Sequence, residues 1–208
     1  MHISDGVLPP QIWISGYAIT GAAVSYAIAK KMDVEDVPKV AVVTAAVFVA
    51  SLVHVPVGPT CAHFMLNGLA GIILGWRALP GIFVALALQA LLLQHGGLTT
   101  IGVNTIAMGV PALAAYVIFR YGTRLEFKWK YTVFGGLAGG VAVVLTTLLL
   151  FLALLTIGGD PRWILAFVVV PHMAIMAIEA IAAGAFAQFV SKVKPEMLQG
   201  CPAKGVSG

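Results

Sequence analysis

The chain has 208 residues, of which 60% are hydrophobic and only 10% are Asp, Glu, Lys or Arg; its mean hydropathy is +1.00. An ordinary globular domain carries about 25% charged residues. Here uncharged runs cover 6–29, 40–76, 78–119 and 131–159, and Glu179 alone interrupts 163–191. A soluble surface cannot be built from such runs, whereas a bilayer core of ~30 Å asks for about 20 apolar helical residues per crossing. The fold class expected is therefore an all-α, polytopic membrane helical bundle. The two cysteines, Cys61 and Cys201, are too few for a disulfide framework. Met1 to Pro10 hold no Lys or Arg, so the pattern of a cleavable signal peptide is absent there.

In chain order, Pro9-Pro10 precede a first predicted helix over 11–29, closed by Lys30-Lys31. After a polar linker a second covers 40–55. The segment Val55-Pro56-Val57-Gly58-Pro59-Thr60 breaks helical structure. A third helix is predicted over 62–76 and a fourth over 80–94, before the break His95-Gly96-Gly97-Leu98-Thr99-Thr100. The fifth (103–119), sixth (131–157) and seventh (163–190) follow. Together they give a single transmembrane domain over 1–194 and a short cytoplasmic tail over 195–208. The third to fifth are short, and one of them is expected to be partly re-entrant or tucked inside the bundle. Trp13, Trp76, Trp129 and Trp163 lie near predicted span ends, as interfacial anchors do.

Seven spans with an outside N-terminus put Lys30, Lys31, Lys39, Arg77, Arg120, Arg124, Lys128, Lys130, Lys192, Lys194 and Lys204 in the cytoplasm and only Arg162 outside. The net charge of +4 is then explained by topology and contact with the lipid bilayer, not by nucleic acid. On this topology the N-terminus and the breaks 55–62 and 95–102 converge on the outer side, as an outward-facing pocket.

The five histidines are His2, His54, His63, His95 and His172, and imidazole is a common ligand of late divalent metals. His2 can chelate by position. Histidine is too large for methionine aminopeptidases, so Met1 is retained. The Met1 amine, the His2 backbone nitrogen and His2 Nδ1 then close a five- and a six-membered ring around one ion. A deprotonated amide nitrogen suits square-planar Ni²⁺ and Cu²⁺. Completing the square falls to His54 or His63. His63 is preferred, since it is expected to start the third helix facing the pocket, while His54 ends the second. Cys61 is a soft donor nearby, read mainly as packing. His95, Thr99, Thr100 and Asn104 are expected to surround the ligands, and Gly96-Gly97 to let that loop approach closely.

These residues resemble a known family. Met1-His2-Ile3-Ser4-Asp5-Gly6, His54-Val55-Pro56-Val57-Gly58-Pro59-Thr60, His63 with Leu66-Asn67-Gly68-Leu69, and His95-Gly96-Gly97-Leu98-Thr99-Thr100 with Gly102-Val103-Asn104-Thr105 look like the CbiM/NikM family. Its members are substrate-binding S components of energy-coupling-factor (ECF) transporters for cobalt and nickel. The resemblance implies Met1, His2 and His63 as metal ligands, and an N-terminus inserted into the bundle. It also implies location in a prokaryotic cell membrane. The partners implied are a transmembrane coupling (T) subunit, two cytoplasmic ABC ATPase subunits and a small accessory membrane subunit. Cys61 departs from the small hydroxyl residue expected there. The cargo expected is Ni²⁺ or Co²⁺, with no prosthetic group.

The chain itself has no Gly-Lys dipeptide and hence no phosphate-binding loop. Small residues on the first helix, Gly16, Ala18, Ala22, Ala23 and Ala27, are spaced for close helix packing, against a partner or within the bundle. Pro171-His172 and Glu179 on the seventh helix lock packing, or else serve as the relay of a proton-coupled secondary metal transporter. An intramembrane metalloenzyme is disfavoured, because H-E-x-x-H is missing and no two histidines stand at i, i+4.

Overall fold

A computed structural model describes residues 2–57 and 60–198. Helix α1 (Pro10–Lys31) starts on a proline, whose fixed φ and missing N–H suit a first turn, and ends on two lysines. A 3₁₀ turn, Val34–Asp36, leads into α2 (Val37–Ala50). Strands β1 (His54–Val57) and β2 (Thr60–His63) form an antiparallel hairpin. Next come α3 (Asn67–Leu74), a 3₁₀ turn at Gly75–Arg77, α4 (Ala78–Leu93), α5 (Ile101–Gly122) and α6 (Lys130–Thr156). Helix α7 (Pro161–Val193) contains a π-helical turn at Leu165–Val169. That turn precedes Pro171, whose missing N–H interrupts the helical bond ladder. The ring of the next residue joins the same stretch, with His172 Nδ1 2.5 Å from the Val168 carbonyl.

The predicted order of helices holds, with three corrections around the first break. The second helix stops at Ala50 rather than residue 55, and the third begins at Asn67 rather than residue 62. His54 and His63 therefore do not end and start helices. They face each other as a cross-strand pair of the hairpin. Two prolines, with Val53, Val55, Val57 and Thr60 around them, favour extended backbone over a helical turn.

Five helical stretches, among the described residues, are long and apolar enough to cross a membrane, fewer than the seven spans expected. The difference lies in α2, with 14 residues, and in Asn67–Leu93, which counts as one stretch of 27. That stretch is not straight. At 1.5 Å per residue it would separate its ends by about 40 Å, yet the rings of His63 before it and His95 after it are 5.4 Å apart. The chain doubles back at Gly75, whose φ of 59° is open to glycine. At the opposite end Arg77 donates from Nε to the Lys31 carbonyl (2.5 Å) and pairs with Asp36 (2.7 Å). The chain thus runs between a histidine-bearing end and a basic end, and α2 and α3 are short strokes of that path.

Apolar side chains cover the outside as well as the core: Ile19, Val42, Leu91, Leu152, Phe167 and Ile181 are all exposed. In water such a surface would aggregate, and in lipid it costs nothing. The protein is a multi-pass membrane protein. Ile3 and Leu8, from the segment before α1, belong to the main core together with Met65, Ile82 and Met108. The N-terminal segment is packed inside the bundle.

Candidate metal-binding site

Ile3 is the anchor of the N-terminal segment. Its N–H donates to Asn104 Oδ1 (2.9 Å), and its carbonyl accepts from Asn104 Nδ2 (3.1 Å) and Thr100 Oγ1 (2.6 Å). Two residues on, the Asp5 carboxylate accepts from the Leu98 and Thr99 amides (3.0 and 2.8 Å) and from Thr99 Oγ1 (2.5 Å). Partial burial alone would raise the Asp5 pKa, but the Thr99 and Leu98 bonds hold it below the usual carboxylate range. Gly97 makes this seating fit, because a Cβ there would fall 2.3 Å from Asp5 Oδ1 and 2.5 Å from the Asp5 nitrogen.

Seated in this way, His2 meets His63 from β2 and His95 from the loop after α4. One ligand nitrogen from each of the three lies within 4.8 Å of the others. The His2 and His63 rings stack with centroids 4.6 Å apart, and His95 stands edge-on to His2 at 4.7 Å. His2 and His63 are each 2% exposed, and His95 is half-buried. Burial pushes the His2 pKa well below its ordinary value and that of His95 down to about 4. These two rings are neutral at pH 7, the form that binds metals.

His63 Nδ1 lies 2.6 Å from the Phe64 carbonyl, which only accepts. The ring hydrogen therefore sits on Nδ1 and the lone pair on Nε2. His63 Nε2 and His2 Nε2 are buried without a hydrogen-bond partner among the described residues. Leaving such an atom unmet costs about 1–3 kcal/mol, and for His63 Nε2 a ligand offers the compensation.

The backbone after His63 is clasped from α7. Glu179 Oε1 accepts from the Met65 amide (2.5 Å), and both its oxygens accept from the Leu66 amide (3.2 Å each). Leu66 needs holding, since its φ of 49° is left-handed and costs roughly 1–2 kcal/mol for a residue with a Cβ.

The other expected metal-site residues are placed around these histidines or lie outside the described residues. Thr100 and Asn104 hold the Ile3 backbone rather than an imidazole. His54 is exposed, its ring 4.3 Å from that of His95. Met1 and the Cys61 side chain lie outside the described residues. On α1, Ala18 and Ala22 are exposed, Ala23 is half-buried and Ala27 is buried.

Sequence reading missed Gln89. It is fully buried on α4 near the His2 ring, and neither of its amide atoms has a hydrogen-bond partner among the described residues. The available signal was the single amide side chain within the apolar stretch 78–93.

Residues 2–197 match the family described as "Cobalt uptake substrate-specific transmembrane region", CbiM. The chain belongs to the CbiM family. Within it, a Haemophilus influenzae protein named as a metal transport protein is 31% identical over 200 residues, 95% of this chain and 97% of that protein. The fused nickel transport protein NikMN of Rhodobacter capsulatus is 38% identical over 132 residues, 60% of this chain and 38% of that protein. A crystal structure described as a transition metal transporter superposes with a TM-score of 0.78 at 25% identity, covering 93% of each chain. The match spans nearly the whole chain, so the protein has the substrate-specific transmembrane region that defines this cobalt-uptake family.

Proposed function

We propose that this CbiM-family protein is the S component of an ECF-type uptake transporter that binds Ni²⁺ or Co²⁺ from outside a prokaryotic cell. The observation that carries this reading is the meeting of His2, His63 and His95 nitrogens within 4.8 Å. The ligands are the Met1 amine, the His2 amide nitrogen and Nδ1, and His63 Nε2. With the metal on Nδ1, the hydrogen of His2 sits on Nε2, and the amide of Gln89 is the side-chain group available to meet it. Four nitrogens in a plane favour Ni²⁺.

ATP hydrolysis belongs to a pair of ABC ATPases joined through a transmembrane coupling subunit. The fusion in the NikMN relative supports partnership with further transporter components. The exposed Ala18 and Ala22 offer a coupling helix close approach. The rival relay reading has less support, since His172 and Glu179 are each engaged by backbone groups. Nickel uptake by cells expressing the whole assembly is expected to stop when the ATPases are omitted and to survive collapse of the proton gradient; the reverse pattern would overturn the reading. His63→Ala should abolish uptake by the complete assembly.

A second expectation concerns the clasp. Glu179→Gln replaces an acceptor oxygen with a donor and loosens Met65 and Leu66. Nickel affinity is expected to fall about 10- to 100-fold, the usual cost of losing an outer support, as measured by calorimetry.

A further inference from the structure

The histidines form a series of decreasing exposure. His54 is exposed, His95 is half-buried, and His2 and His63 are buried. Successive rings stand 4.3 Å (His54 to His95), 4.7 Å (His95 to His2) and 4.6 Å (His2 to His63) apart. The hairpin register sets this order, because it pairs His54 directly with His63 while His54 stays at the surface. His54 Nδ1 lies 3.1 Å from the Leu52 carbonyl, which places the hydrogen on Nδ1 and leaves Nε2 as a donor atom. The same backbone lock fixes His63.

We propose that His54 and His95 form an outer loading site, which takes a divalent transition-metal ion from solution and passes it inward to His2 and His63. This rests on the inner site of the preceding section. Each transfer exchanges one imidazole ligand for the next between adjacent rings, so the ion is never stripped of nitrogen donors on its way in. His54 is then a ligand of the path and not of the bound state. It lowers the barrier for arrival and departure alike and leaves the equilibrium alone.

The test uses the full chain in detergent micelles and Ni²⁺ alone, followed by stopped-flow competition with a metal-sensitive dye. His54→Phe keeps a ring against His95 and removes the ligand atom. His54→Asp restores a ligand atom without the ring. In the Phe variant the association and dissociation rates are expected to fall together, about tenfold, with Kd unchanged, and the Asp variant is expected to recover most of the rate. An unchanged association rate in the Phe variant overturns the proposal. So does a raised Kd, which would make His54 an equilibrium ligand, and so do equally slow Phe and Asp variants, which would assign the effect to ring packing. Failure of the unaltered protein to bind Ni²⁺ would overturn the inner site as well, which separates the two failures.

Discussion

Blocking the Met1 amine, by acetylation or by one added residue, is expected to lower nickel affinity at least about a thousandfold, or about 4 kcal/mol. Acetylation removes the basic lone pair and leaves an amide. An added residue moves the amine beyond the chelate ring and must find room beside His2, which is 2% exposed. The fold should not suffer, since the bonds from Ile3 to Asn104 and Thr100 and from Asp5 to Leu98 and Thr99 do not involve the amine. Calorimetry with Ni²⁺, beside thermal unfolding of the metal-free protein, checks both halves. Unchanged affinity would remove the amine from the ligand set and leave His2, His63 and His95 to hold the ion.

The second large effect is on pH. Burial keeps His2 well below its ordinary pKa and His95 at about 4. A depressed imidazole pKa means that falling pH does not protonate these rings until the solution is acidic, so they add little pH dependence near neutrality. The amine, ordinarily at about 7.7–8.0, and the backbone amide each give up a proton on binding. Below pH 7 both protons leave for each ion bound, and the apparent affinity is expected to fall about 100-fold per pH unit. The lowered imidazoles of His2 and His95 by themselves would give a nearly flat profile across neutrality. Titrations at several pH values separate the two.

Much of the bundle is legible in the sequence because lipid imposes a coarse rule: apolar runs bounded by charge become helices. The ends of α1, α4 and α6 follow from Lys30-Lys31, His95-Gly96-Gly97 and Gly158-Gly159-Asp160-Pro161. The stretch 54–63 reads instead as helix ends around a loop, because hydropathy does not separate a hairpin from a helix terminus when both are apolar. His2 and His63 stand out through chemistry at particular positions, a chelating chain start and a histidine after a rigid turn. Gln89 and the Glu179 clasp do not, since each acts on a residue distant in sequence, across α4 to the N-terminal segment and across α7 to the backbone after β2. Such pairings exist only once the chain has folded.

The clasp ties the longest helix to the backbone beside the proposed metal site. Glu179 grips the turn that follows His63, so a tilt or slide of α7 pulls on the backbone that carries the His63 imidazole. Rocking of α7 would shift His63 relative to His2, which is fastened separately to α5 through Ile3 and Asn104. In the proposed site the grip on an ion would therefore be geared to the relative posture of α7 and α5, and a force applied to α7 would loosen it.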